Sequence, residues 1–223
     1  MISKLLIVFC SATIIAGTST PASDLKKMRD VYNTAQSISM QAQVKVYPKN
    51  ENAPKIYKGL LKKDGKKFYS EMMGRIIVCD GKHIVAVDKL NKTLMLSNAA
   101  DEGLYAENMM QLDTSVLRAY KATYTLKNDT EKKITLDATI AGYKKFEITL
   151  DAKQHVIKKV YYEFRNEAYQ GVSKVDITYS DVQLNKVIDA SNFNLANYIV
   201  VGKTPAAAGN YTSYTIIDKR EKN

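Results

Sequence analysis

The fold is decided by the stretch Ile76–Asp88, which reads IIVCDGKHIVAVD. Two β-branched runs flank Asp80-Gly81, and an Asp-Gly pair supplies the positive φ angles of a tight hairpin turn. Both arms carry apolar residues at successive positions, so each arm must be covered at least in part on both faces. The stretch therefore predicts a hairpin in a curved sheet that wraps around a helix or an apolar ligand.

The segments on either side extend this hairpin into a meander. Apolar and polar residues alternate over 39–46, which indicates a strand with one apolar face. Segments 56–62 and 67–73 are joined across Asp64-Gly65, and 92–97 returns after a bend at Leu90-Asn91. Six strands in succession with short turns predict an antiparallel meander.

The second half repeats this pattern after an interruption. Residues 99–120 lose the period of two and carry a helical stripe, and strands resume at 122–126, 132–138, 144–150, 156–164 and 174–184. About eleven strands with one apolar face cannot stay flat, so the sheet curls into a barrel or half-barrel. The segment 204–209 is predicted to be a flexible loop, and 211–217 allows one more strand.

The N-terminal part predicts export followed by an amphipathic helix. Residues 1–22 resemble a secretory signal, with Lys4, the apolar run Leu5–Ile15 and then small residues. Thr20-Pro21 is a typical helix start, and apolar residues at helical spacing follow from Leu25 to Ala35. We expect two parts, a cleaved signal (1–22) and one α+β domain (23–223).

Charge and cysteine content narrow the possible functions. The chain has a net charge of +10, and removing Lys4 with the signal leaves +9. A solvated lysine-rich surface accounts for this charge, and attraction to anionic lipid headgroups or an acidic partner is the functional interpretation. Nucleic acid is not an expected partner, because the lysines are scattered. With Cys10 in the signal, Cys79 remains alone and forms no internal disulfide.

Residues for catalysis or metal binding are scarce. His83 and His155 fall at a strand start and a hairpin end, where we expect solvent-facing loop residues. Cys79 lies in a strand after Val78 and is expected to be a buried small side chain and not a nucleophile. No metal-ligand spacing, nucleophile elbow or phosphate loop is found in the sequence. We therefore interpret the protein as a binder, without enzymatic activity or cofactor.

At this point the chain resembles the periplasmic outer-membrane lipoprotein carriers of the LolA and LolB type. The resemblance is carried by Val78-Cys79-Asp80-Gly81-Lys82-His83-Ile84, by the order of elements, by the closing segment Asp189–Leu195 and by the tail Tyr214–Arg220. It covers roughly residues 24 to 220. The fold that it implies is an incomplete, half-open antiparallel β-barrel with helices across the open side as a lid.

The resemblance also implies a function. A soluble, monomeric periplasmic carrier would receive the acyl chains of lipoproteins in its cavity and take them from the inner to the outer membrane. Its partners would be acylated lipoproteins, an inner-membrane releasing complex and an outer-membrane acceptor. Two alternatives stay open, a carrier of another lipid or glycolipid and a periplasmic domain that senses lipoproteins and signals to a membrane partner.

The alternation of apolar and polar residues along the predicted strands indicates which side chains should contact the ligand. The predicted cavity residues lie in the first strand, in the hairpin Ile76–Asp88 and in the second half of the chain: Met40, Ala42, Val44, Val46, Ile84, Ala86, Phe146 and Ile148. The predicted lid residues are Leu104, Met109, Met110 and Leu117. The resemblance further implies a basic residue after the second strand that holds the lid. Lys63 is the nearest match, although lysine lacks the forked guanidinium of arginine.

Overall fold

The computed structural model describes residues 19–100, 121–137, 143–165 and 171–220. Within these residues twelve strands form one curled sheet, and one α-helix packs against it. The helix, α1 (Pro21–Thr34), begins after the N-cap Thr20, as the sequence predicts. A separate two-stranded sheet, β12–β13, lies in the C-terminal segment.

The strands fall into two meanders and a C-terminal set. The first meander consists of β1 (Ser37–Pro48), β2 (Lys55–Asp64), β3 (Lys67–Met72), β4 (Arg75–Cys79), β5 (His83–Asp88) and β6 (Thr93–Asn98). The second consists of β7 (Ala122–Lys127), β8 (Glu131–Leu136), β9 (Tyr143–Asp151), β10 (Ile157–Phe164) and β11 (Val172–Leu184). The C-terminal set is β12 (Ile199–Val200), β13 (Ala206–Ala207) and β14 (Thr215–Asp218).

The pairing of β1 with β11 joins the two meanders into one sheet. These strands are antiparallel, with Val44 opposite Ile177 and Val46 opposite Val175. The strand order is β14-β6-β5-β4-β3-β2-β1-β11-β10-β9-β8-β7. In the described part of the chain the sheet is not closed, since β14 and β7 stand at opposite ends. The twelfth strand, β14, lies in the segment for which the sequence allowed one more strand, and it pairs with β6 in parallel.

The hairpin predicted over Ile76–Asp88 is present, but its turn differs from the expected one. Cys79 pairs with Ile84, so four residues, 80–83, lie between these paired positions, and not two. Only Gly81 takes a positive φ, of 96°, and Asp80 Oδ1 accepts hydrogen bonds from the backbone N–H groups of Lys82 and His83, both at 2.8 Å. The hydrogen bonds to the Asp80 side chain therefore stabilise this turn, in which only one residue has a positive φ.

The helix defines the two faces of the sheet. Leu25, Met28 and Tyr32 of α1 are buried against side chains of β1 to β5 and β8 to β10, and we call this side the inner face. The hydroxyl of Tyr32 accepts a buried hydrogen bond of 3.1 Å from the backbone N–H of Ile157. Because α1 covers only part of the twelve-stranded sheet, it divides the inner face into a covered half and a second half.

The opposite, outer face is covered by the C-terminal segment. The buried residues of this cluster are Ile76, Val78, Val85, Val87, Leu94, Leu96, Leu195 and Ile199. Within the segment predicted to be a flexible loop, Ala207 pairs with Ile199 in the β12–β13 ladder. The apolar residues at successive positions of β4 and β5 are thus buried on two sides, α1 lying on one and residues 195–199 on the other.

Candidate functional site

The half of the inner face beyond α1 carries its own apolar cluster, which we call the distal cluster. Its buried residues are Val44, Val46, Phe164 and Val175. Partly buried Tyr57, Met72, Tyr143, Tyr162, Val172 and Ile177 pack against them. Among the described residues, none of α1 belongs to this cluster. The inner face therefore stays apolar along the strands past the region that the helix fills.

Four aromatic rings line the distal half on β9 and β10. The ring of Tyr143 lies 6.0 Å from Phe146 and 5.5 Å from Phe164, and Tyr162 lies 5.5 Å from Phe164. Aromatic side chains offer a large apolar area and have only two rotatable bonds, so ordering them on a ligand costs little entropy. This group is suited to contact with a hydrocarbon chain.

A cavity of about 520 Å³ opens beside the distal cluster at the β3–β4 and β5–β6 turns. Its lining residues are Ser70, Met72, Met73, Gly74, Arg75, Ile77, Asp88, Leu90 and Asn91. Met72 lines the cavity and also packs against the distal cluster, so the two are adjacent. An apolar pocket of some hundreds of cubic ångströms is the usual form of a small-molecule site.

The two turns beside the cavity are held by their own local structure. Met73 and Gly74 both take positive φ angles, 52° and 80°, which match the right-handed twist of a tight hairpin. Asp88 Oδ1 accepts hydrogen bonds of 3.0 Å from the backbone N–H groups of Leu90 and Asn91. The Met73 and Leu90 side chains are nevertheless 49% and 89% exposed. The cavity thus has ordered turns that present apolar side chains to solvent.

One cation and one carboxylate lie among the apolar side chains of the cavity. Arg75 and Asp88 are direct register partners across β4 and β5, and Arg75 Nη2 lies 3.7 Å from Asp88 Oδ2. Hydrogen bonds from Asn91 hold the pKa of Asp88 below its ordinary value, so this carboxylate is charged at neutral pH. The Arg75 side chain is 74% exposed and keeps donors available to a ligand.

The predicted cavity residues divide between the two halves of the inner face. Val44 and Val46 belong to the distal cluster, and Ala86 is the register partner of the cavity residue Ile77. Phe146 lies in the aromatic group and also packs against the cluster that contains α1. Ala42 shares the face of Val44 on β1. The remaining three, Met40, Ile84 and Ile148, are buried in the cluster that contains α1. Contact of any of these eight with a ligand stays a prediction.

The sequence analysis did not single out several residues that line the cavity. Met72, Ile77 and Arg75 share the inner face with the predicted residues, and Met73 and Leu90 lie at hairpin tips. Alternation within β4 and β5 contained a signal for Ile77, because residues 75, 77 and 79 share one face. Met73 and Leu90 carried no such signal, because whether a hairpin tip lines a cavity depends on how neighbouring hairpins pack.

The predicted lid residues Leu104, Met109, Met110 and Leu117 lie outside the described residues. Lys63 is described: it is partly exposed on β2, opposite Ile38 on β1 and Phe68 on β3. Its neighbour Lys62 donates a hydrogen bond of 2.6 Å to Asn192 Oδ1. The lid contact of Lys63 stays a prediction.

A buried polar group fastens α1 to the second meander. Asp24 is fully buried, and its Oδ2 lies 2.8 Å from Lys132 Nζ and accepts a hydrogen bond of 2.6 Å from the Tyr124 hydroxyl. Burial raises the pKa of Asp24, but the hydrogen bonds from Lys132 and Tyr124 lower it by more, and the pKa lies below its ordinary value of 3.8. The helix is therefore held over one half of the inner face by a charged pair.

His155 differs from the expected solvent-facing histidine. It is partly buried, its Nδ1 is buried with no hydrogen-bond partner in the described structure, and its φ is 55°. Burial and the charge of Lys132 lower its pKa, so its imidazole is neutral at pH 7. Cys79 is buried as expected, and burial raises the pKa of its thiol.

A second cavity, of about 540 Å³, has a different character. It lies between the β7–β8 and β9–β10 turns and is lined by Lys127, Asn128, Asp129, Lys132, Ala152 and Lys153. Its polar and charged lining does not suit a hydrocarbon chain. Within the described ranges no group of three or more His, Cys, Asp or Glu residues is placed to hold a metal ion. The one described α-helix is too short and too polar to span a bilayer.

Proteins similar to this chain are found among solved structures only. No protein-family model matches it, and no curated protein does. An uncharacterised conserved protein from Thermus thermophilus is 11% identical, with 88% of this chain and 97% of that chain covered and a TM-score of 0.49. Lipoprotein LppX from Mycobacterium tuberculosis is 12% identical, with 76% and 97% covered and a TM-score of 0.39.

A LolA superfamily protein from Nitrosomonas europaea is also similar. It is 12% identical, the alignment covers 79% of this chain and 98% of that chain, and the TM-score is 0.37.

Proposed function

We propose that this protein is an exported, non-enzymatic carrier that binds the acyl chains of lipoproteins along the distal half of its inner face. The observation that supports this most directly is that Met72 both lines the 520 Å³ cavity and packs against the distal cluster. An acyl chain would enter at the exposed residues Met73 and Leu90 and extend toward the aromatic rings on β9 and β10.

The energetics of an acyl chain explain why such a path is needed. Exposing a hydrocarbon chain to water costs about 0.8 kcal/mol per methylene, so transfer between membranes requires a protein that buries most of the chain. A packed core alone offers no room, because protein interiors are filled to the density of organic crystals. The cavity beside Ile77 supplies such room on the inner face.

The remaining parts of the proposal concern the cellular route. The carrier would work as a soluble monomer in the periplasm, receive lipoproteins from an inner-membrane releasing complex and deliver them to an outer-membrane acceptor. It would require no cofactor and bind no nucleic acid. The N-terminal segment with its apolar run and the resemblance stated above support this route.

Arg75 supports a second candidate, a carrier of anionic lipids. Its exposed guanidinium lies at the cavity mouth next to the exposed Met73 side chain. A cation beside an apolar pocket fits a phospholipid, whose phosphate would pair with Arg75 while its tails enter the cavity. Lipoprotein acyl chains are uncharged and require no cationic partner at the mouth.

Native mass spectrometry of the protein purified from the exported fraction tests both candidates. The carrier of lipoproteins is expected to retain acylated polypeptides, and the carrier of anionic lipids is expected to retain phospholipids. Purification of Arg75→Gln in parallel separates them further, because only phospholipid retention should fall. Protein that carries neither class, from cells that export it at normal levels, would overturn the proposed function.

A further inference from the structure

The residues just before α1 are part of the fold. Thr20 is the N-cap: its Oγ1 accepts a hydrogen bond of 3.2 Å from the backbone N–H of Ser23, and its carbonyl accepts one of 3.0 Å from the backbone N–H of Asp24. Pro21 follows in the first helical turn, where its fixed φ is favourable. Removing Thr20 would leave these two N–H groups without their partners.

Ser19 is tied to the edge of the second meander. Its carbonyl oxygen accepts a hydrogen bond of 3.1 Å from Lys127 Nζ and lies 3.2 Å from the Tyr124 hydroxyl. That hydroxyl lies only 2.6 Å from the buried Asp24 carboxylate. Ser19 therefore contacts the same polar group that fastens α1, one strand away from the Asp24–Lys132 pair.

The sequence offers several bonds at which an export signal can be cut. Signal peptidases favour small side chains at the first and third positions before the cut. The bond between Thr18 and Ser19 has Thr18 and Ala16 at these positions, the bond between Ser19 and Thr20 has Ser19 and Gly17, and the bond between Ala22 and Ser23 has Ala22 and Thr20. All three satisfy the rule, so the residue pattern alone does not choose among them.

The products differ in what they retain of the fold. A chain that begins at Ser23 has lost the N-cap, the proline of the first turn and the Ser19 contact, and its cut lies inside α1. A chain that begins at Thr20 has lost the Ser19 contact. A chain that begins at Ser19 keeps all of them. We propose that the export signal is cut between Ala16 and Ser19, at the Thr18–Ser19 bond in particular, so that the mature chain retains Ser19 and Thr20.

The proposed cut site presupposes the export that the proposed function requires. It does not depend on which ligand the protein binds. The full chain is produced with a C-terminal tag in a bacterial host, recovered from the exported fraction and analysed by intact mass and N-terminal sequencing. A first residue at Gly17, Thr18 or Ser19 supports the proposal. A first residue at Thr20 or beyond, or an uncut chain, overturns it. Lipid retention in the same preparation reports separately on the proposed function.

A second measurement tests the reason for the choice. Thr20→Ala in the full chain removes the capping oxygen and is expected to lower the melting temperature of the exported protein by about 2–4 °C. Thr212→Ala, at an exposed position outside α1, is the matched control and is expected to leave the melting temperature unchanged. Equal melting temperatures for Thr20→Ala and the unmodified protein would contradict this reason, because the N-cap would then not stabilise the product that retains it.

Discussion

The Nζ atom of Lys132 on β8 lies 2.8 Å from Oδ2 of Asp24 on α1, and the side chains of both residues are almost entirely removed from solvent. A charged pair in such a place joins the helix to the second meander and fixes which half of the inner face α1 covers. The distal cluster and the cavity lie on the other half.

Loss of one member of this pair should destabilise the protein strongly. Lys132→Met leaves the buried Asp24 carboxylate with only the Tyr124 hydroxyl, and we expect the free energy of unfolding to fall by about 3–5 kcal/mol in urea titrations. Lys133→Met, on the opposite face of the same strand, should change it by no more than about 0.5 kcal/mol. Similar losses for both variants would show that the pair has no structural role.

The contribution of Asp24 should disappear in acid. Its pKa is lower in the folded protein than its ordinary value of 3.8, so ionisation stabilises the fold above that pH, and this stabilisation is lost as the pH falls through the lower folded value. Asp24→Asn should therefore be much less stable than the unmodified protein at pH 6, and the difference should shrink below about pH 4. Urea titrations at several pH values measure it, and a pH-independent difference would contradict the assignment.

A charge in the cavity should prevent ligand uptake without unfolding the protein. Ile77→Glu places a carboxylate among Met72, Met73 and Leu90, and burying it beneath a hydrocarbon chain should weaken acyl binding by at least roughly tenfold. Titration with a fluorescent fatty-acyl probe measures the affinity, and circular dichroism measures the fold. Ile56→Glu introduces the same side chain at a position that is 56% exposed, and should bind normally. Equal binding by the two variants would place the ligand elsewhere.

The Tyr32 hydroxyl should contribute to stability through one buried hydrogen bond. Tyr32→Phe leaves the backbone N–H of Ile157 without its acceptor, which should cost about 1–3 kcal/mol in the free energy of unfolding. Tyr47→Phe is a suitable control, because the Tyr47 ring lies under Lys174 Nζ at 4.2 Å and Phe offers the same ring face. An unchanged midpoint for Tyr32→Phe would show that water replaces the hydroxyl.

The Cys79 thiol should be unreactive in the folded protein. It is buried, and burial together with the neighbouring Asp80 charge outweighs the Gly81 N–H hydrogen bond and raises its pKa, so little thiolate forms at pH 7. Alkylation, followed by mass spectrometry of the Cys79 peptide, should be at least roughly a hundredfold slower than in concentrated urea. Ser213→Cys, at an exposed position, should react rapidly under both conditions. Fast native alkylation of Cys79 would contradict the burial.

Local signals in the chain were sufficient to predict most elements. The N-cap at Thr20, the alternation from Met40 to Val46 and the hairpin around Gly81 all depend on residues that are close in sequence, and the structure confirms each of these elements. The apolar residues at successive positions of β4 and β5 also indicated correctly that both faces of this hairpin are covered.

Other features depended on contacts between distant residues. The segment around Ala207 looked like a flexible loop because it consists of small residues, proline and glycine, yet it pairs with Ile199 and lies in the layer over the outer face. His155 was expected in solvent because it follows a turn, yet its Nδ1 is buried, and the charges of Asp24 and Lys27 on α1, more than a hundred residues away, act on its pKa. Local composition holds no information about which distant element packs above it.

The sequence by itself determined the strands, the helix and the apolar side of each, because periodicity and capping act over a few residues. Only the tertiary structure decided which part of the apolar face is fully buried and which part lines the cavity. Core and cavity linings have the same composition, yet Ile148 is fully buried in the cluster that contains α1, whereas Ile77 is only partly buried and lines the cavity. The helix of that cluster is fastened by the pair between Asp24 and Lys132, whose members are 108 residues apart.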